Sequence, residues 1–237
     1  DAAARPLHWV YDQKKLLKYI SGKKDFTFLK KNRSPFYRIR TGKVSGYNDV
    51  GQVMFRTLLE GHENIEKRFK KNILLNFGSK SKYWKNLKLR KKYKKVKDWR
   101  DRINGPWIHQ NIIETITNIK KNKKYTGGSK VNESDGYCAA LPYFLYGHSL
   151  RDIESIIKTV TISKISIKYA LAKFNIINLA LKGSKNPIEE FEKKFKKYSY
   201  FSGVIKEIKK AKRLKRIPHS LAVKKLGMAC SYPGTFS

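Results

Sequence analysis

Few side chains in this sequence can do chemistry, because acids are scarce: 18 Asp and Glu stand against 54 Lys and Arg. Asp1 and His8 share an opening stretch, Asp1-Ala-Ala-Ala-Arg-Pro-Leu-His8. Asp49 closes the segment Ser45-Gly-Tyr-Asn-Asp49, and Ser134-Asp135-Gly136 follows a polar loop. A carboxylate in such a segment can ligate a hard cation such as magnesium through oxygen or cap a helix, and Asp49 suits either role. Ser134-Asp135-Gly136 suits a nucleotide-contacting loop or a plain polar turn. His8, beside Trp9, fits a structural histidine better than a base. No P-loop, dinucleotide-binding glycine fingerprint, His-Glu-x-x-His or Gly-x-Ser-x-Gly occurs, so no complete catalytic set is assembled. Cys138 and Cys230 are far apart and form no Cys-x-x-Cys; they read as small hydrophobes rather than a disulfide or zinc ligands.

The elements that must position these residues read as helices. Asp12 to Ile20 carries an apolar side of Leu16, Leu17 and Ile20. Residues 21–47 are rich in Gly, Ser, Pro and Lys and read as a long loop. Asn48 or Asp49 would cap a helix running to Leu59 and ended by Gly61, and Glu63 to Phe77 follows as another. Gly105-Pro106 would open a helix whose face is Ile108, Ile112, Ile116 and Ile119, because proline suits the first helical position. Ser149 and Asp152 form a loose capping box before the stripe Ile153, Ile156, Ile157 and Val160. Further helices follow through Ile167–Leu181, from Asn186-Pro187, through Val204–Ala211, and over Ser220–Leu226. The total is about eight helices with no strand alternation, an all-α compact bundle.

The net charge of +36 and pI near 10.2 admit two readings. One is a phosphate-binding footprint. The other is coding bias, which 42 Lys against only 12 Arg favours, since specific nucleic-acid sites lean on arginine. Lys80 to Arg102 interleaves Tyr83, Trp84, Tyr93 and Trp99 with cations. That pattern suits stacking of single-strand bases, or a solvated helix with its aromatics in the core; the second is favoured. Apolar runs stay far below the ~20 residues of a membrane helix, so no membrane partner is expected. The start at Asp1-Ala2-Ala3-Ala4 has no Met and no basic leader, which reads as a chain beginning inside a longer or processed protein. With two distant cysteines, an intracellular, cytoplasmic location is expected.

Five segments are too idiosyncratic for helix filler: Asp1 to Asp12, Ser45 to Asp49, Gly105-Pro-Trp-Ile108, Ser134-Asp-Gly136, and Ala229-Cys-Ser-Tyr-Pro-Gly-Thr-Phe236. In order and spacing they resemble the J-crystallin and selenoprotein J branch of the ADP-ribosylglycohydrolase superfamily. The resemblance spans nearly the whole chain and implies one all-α domain over 1–237, incomplete at both ends. It also implies an ADP-ribose-like small molecule as ligand. Active members of the superfamily hold two magnesium ions with a Thr/Ser-Asp-Asp segment early in the chain and an Asp-x-Asp-Thr/Ser segment late in it. Here Asp1 and Pro6 match the opening motif, but His8 stands where a Glu is expected. The early segment reads Tyr47-Asn48-Asp49, leaving Asp49 as a lone, weak metal ligand, and the late one would lie beyond Ser237. Of a later polar motif of the crystallin branch only Thr161 survives. The implied ligand residues are Asp1, His8, Asp49, Ser134, Asp135 and Gly136. The expectation is a catalytically degenerate protein needing no cofactor. An active magnesium-dependent hydrolase completed beyond Ser237, or a cationic nucleic-acid binder, are the alternatives.

Overall fold

The computed structural model describes residues 7, 10, 12–21, 33–34, 38, 42–93, 95–96, 103, 105–227 and 231–234. Asp1, His8, Trp9, Trp99 and Cys230 lie outside them. Eleven α-helices are present among the described residues, and no strands beyond isolated bridges. They are α1 (Gln13–Ile20), α2 (Gly46–Leu59), α3 (Ile65–Phe77), α4 (Lys82–Tyr93), α5 (Gln110–Lys120), α6 (Asp135–Leu145), α7 (Leu150–Val160), α8 (Lys164–Leu181), α9 (Pro187–Phe195), α10 (Ser202–Arg213) and α11 (His219–Leu226). No described helix is long and apolar enough to cross a membrane.

Several boundaries follow from the cap residues. Asp12 accepts from the Lys15 amide at the start of α1, and Ser149 accepts from the Asp152 amide at the start of α7. Pro187 occupies the first turn of α9, with Glu189 and Glu190 beside it on the positive end of the helix dipole. The α7 stripe Ile153, Ile156, Ile157 and Val160 is fully buried. Leu181, read as core, is instead exposed at the end of α8. Tyr83 and Trp84 pack against the core from α4, so the described aromatics at the start of the lysine-rich stretch serve packing.

Three expectations are corrected. The helix expected to begin at Asn48 or Asp49 begins at Gly46, with Ser45 in the cap position, so Asp49 lies within its first turn. Asn48 instead accepts a hydrogen bond from the Gln52 amide at 2.7 Å, one turn on. Gly105-Pro106 does not open a helix: residues 106–109 are non-helical and α5 starts only at Gln110, with His109 in the cap position. Gly105, at φ +137°, donates to the Arg38 carbonyl, which holds this stretch to a different segment. Finally, Ser134-Asp135-Gly136, expected as a loop before a helix or as a polar turn, is itself the start of α6, a helix not among the eight and packed against α2, α7 and α8 at the centre of the molecule.

Gly136 shows why α6 can sit so close. A Cβ there would lie 2.7 Å from Thr161 Cγ2 and 2.9 Å from Ile157 Cγ2. Replacing glycine by alanine in an open helical position stabilises by about 1 kcal/mol, whereas overpacking costs ~1–3 kcal/mol. We therefore predict that Gly136→Ala lowers the melting temperature by several degrees. Gly203→Ala in α10, where a Cβ meets nothing within 4 Å, should hold or raise it. A thermal melt in which both variants gain stability would contradict the packing.

Candidate functional site

Asp135 is the first residue of α6 and is completely buried. A buried carboxylate must be paired or strongly hydrogen-bonded. Its Oδ1 lies 2.6 Å from His109 Nδ1, and its Oδ2 accepts from the Asn111 side-chain amide at 3.3 Å. His109 is at the start of α5 and Asn111 is in its first turn, so failure of the helix to begin at Pro106 is what aims both at Asp135. Burial disfavours the charged form of His109, but the Asp135 carboxylate outweighs it and holds the ring pKa above its ordinary value.

Glu133 completes the group. One carboxylate oxygen from each of Glu133 and Asp135 and a ring nitrogen of His109 all lie within 4.8 Å of one another, the one such group among the described residues. Burial, then the nearby Asp135 charge, pushes the Glu133 carboxyl up to about 7. The arrangement can hold and share protons near neutral pH, and its mixed nitrogen and oxygen donors can hold a cation.

Described residues of four of the five segments singled out in the sequence converge here; Asp1 to Asp12 lies almost wholly outside the described residues. At the start of α2, a Cβ on Gly46 would be 2.9 Å from the Trp107 carbonyl and 3.0 Å from His109 Nε2, and the Tyr47 ring lies 4.1 Å from the His109 ring. From the chain's end, Ser231 bridges to Glu133, while the Tyr232 amide donates to the Asn132 carbonyl at 2.7 Å. Tyr232 is buried and stacks on Tyr169. Ser134 occupies the cap position of α6 without capping it through its side chain. Thr161 is spent on backbone: it bridges to Gly128, and its hydroxyl donates to the Gly128 carbonyl.

Asp49 is nearby but separate. It receives a short hydrogen bond from the Tyr83 hydroxyl, and it belongs to no three-residue metal-sized group among the described residues. Among the described residues, then, no set of oxygen ligands converges on Asp49 as a dinuclear magnesium centre would need on each ion. Cys138, in α6, has its thiol pushed up to about 12 by burial and by the Asp135 charge, which removes it as a nucleophile. His109, Asn111 and Glu133 were missed in the sequence; their signal was the failed helix start and the two glycines of the loop before α6, which a pattern search does not weigh.

Over 242 residues, 100% of this chain and 71% of the relative, the chain is 24% identical to Crystallin J1A of Tripedalia cystophora. The chain is similar to the J-crystallins. Crystallin J1B of the same organism is 26% identical over 144 residues, which are 60% of this chain and 41% of that relative. No family model matches the chain, and no solved structure matches it.

The pH response of this crystallin-like chain follows from the shifts. A carboxyl raised above its ordinary value is protonated in the folded state where the unfolded chain has already ionised, so it stabilises at low pH and the gain is lost as pH rises to about 7. The raised His109 acts in the same direction, stabilising below its ordinary pKa and less as pH climbs through the folded one. We predict that Glu133→Gln, which keeps the shape but cannot ionise, flattens the fall in melting temperature between about pH 5 and about pH 8. Identical slopes for the two proteins would contradict the assignment.

Proposed function

We propose that the chain is a catalytically degenerate relative of the ADP-ribosylglycohydrolases, of J-crystallin and selenoprotein J type, with a structural or ligand-binding role. The observation that carries this reading is Asp49. It is the one carboxylate of the early metal segment; it accepts from the Tyr83 hydroxyl, and among the described residues it joins no metal-sized group of acids. The similarity to Crystallin J1A, which spans the whole of this chain and 71% of that relative, supports the crystallin side of the reading. Support for a retained ligand comes from a mainly apolar groove of about 800 Å³ between α2 and α6, lined by Tyr47, Asn48, Phe55, Leu59, Cys138 and Tyr146. Its volume is that of an ordinary small-molecule site. The start of α2 at one end offers the partial positive charge that suits a phosphate, so an ADP-ribose-like molecule fits with its base in the groove.

The test is incubation of the chain with ADP-ribosylated protein and magnesium, with release of free ADP-ribose as the readout. We predict no release above background, together with a rise in melting temperature when ADP-ribose alone is added. Magnesium-dependent release that disappears in Asp49→Ala would overturn the degenerate reading and establish an active hydrolase.

A further inference from the structure

The unexplained feature of the site is a pair of neighbouring carboxyl groups whose one cationic partner is His109. Glu133 and Asp135 sit together in a chain of net charge +36. Yet among the described residues no lysine or arginine pairs with either; the partner of Asp135 is His109. Like-charged buried carboxylates repel, and a protein with 54 basic side chains has no shortage of cations to place beside them. Glu133 Oε2 is buried with no hydrogen-bond partner. Asn111, completely buried and aimed at Asp135 through its amide, also leaves its Oδ1 without one. Orphaned buried acceptors beside clustered carboxylates call for a positive group.

We propose that His109, Glu133 and Asp135 bind a single divalent transition-metal ion, with zinc as the best fit. One imidazole nitrogen and two carboxylates make a mixed donor set, which favours zinc-like ions over magnesium. The neutral ring ligates through Nδ1 and Glu133 ligates as a carboxylate, so the proton His109 shares with Asp135 and any proton held by Glu133 leave to solvent as the ion enters. Asn111 supplies a fourth donor. Exchanging its two amide atoms by a half-turn puts Oδ1 where Nδ2 now stands, 3.3 Å from Asp135 Oδ2. That is the edge of a tetrahedron with metal–oxygen bonds of about 2.0 Å. With Asp135 ligating through Oδ2, the 2.6 Å contact between His109 Nδ1 and Asp135 Oδ1 opens as Nδ1 turns to the ion. The raised Glu133 carboxyl agrees with an acid waiting for a counter-charge. Asp49 is not a ligand, so this site stands or falls independently of the hydrolase question.

The test is zinc binding by the whole chain after treatment with a chelator, followed by calorimetry and thermal melts, with cobalt as a spectroscopic probe. One equivalent of zinc, a raised melting temperature and a tetrahedral cobalt spectrum are expected. Affinity should fall at least tenfold in Glu133→Gln and remain unchanged in Asp49→Ala. His109→Gln should abolish the cobalt spectrum; because it also breaks a buried pair, its circular dichroism must be that of the folded chain for the result to count, and Glu133→Gln decides the matter if it is not. Equal zinc stoichiometry and affinity in the wild type and Glu133→Gln would overturn the proposal, as would no binding by the folded chain at saturating zinc.

Discussion

The buried carboxylate of Asp135 is the constraint around which the rest of this structure is arranged. A charge removed from water at the centre of a helical bundle needs donors and favourable dipoles within reach. His109 and Asn111 supply the donors from the beginning of α5. The beginnings of α2 and α6 meet at the same point, through Gly46 and through Asp135 itself. Helix starts carry partial positive charge, which stabilises an anion among them. The beginning of α8 is tied in from the side, where the Ser163 hydroxyl donates to the Asn132 side chain at 2.6 Å. Four helices distant in sequence thus begin around one small polar centre.

Close packing keeps that centre dry. A Cβ on Gly127 would come within 2.5 Å of the Thr161 backbone, and one on Gly128 within 2.8 Å of Asn111. The loop before α6 can lie along the end of α7 because these positions have no side chain. Its amides reach the carbonyls at the end of that helix: Gly127 donates to Lys158 and Gly128 to Val160. Tyr232 closes the other side from the end of the described chain. Charge therefore partitions sharply in this molecule, with lysines spread over the outside and its buried acids answered chiefly by one histidine.

Much of this was legible in the sequence where one physical signal acted alone. The stripe of α7 and its Ser149 cap were readable because amphipathic spacing and cap chemistry agreed. Helix α6 was not, for apolar residues also occupy its less buried side and Gly136 and Pro142 interrupt it, so its buried face does not stand out in the sequence. The false helix start at Pro106 has a tertiary cause: local preference allows a helix there, but His109 is needed in an extended approach to Asp135. Asp135 and Gly136 were singled out, and Asp49 was expected at the cap of the helix in whose first turn it lies. The partners His109 and Glu133 stayed hidden, since contacts across 26 residues leave no local pattern.

The similarity to Crystallin J1A and the Tyr83 contact of Asp49 support the proposed reading, in which the polar centre serves binding and packing. Everything in that account depends on His109 and Asp135 acting as one buried unit. A double-mutant cycle in unfolding free energy, using His109→Gln, Asp135→Asn and the pair, measures this directly. The account predicts large losses for each single change, since breaking a buried pair costs ~3–5 kcal/mol, and a coupling above about 1 kcal/mol. Additive losses, with no coupling between the two sites, would contradict it.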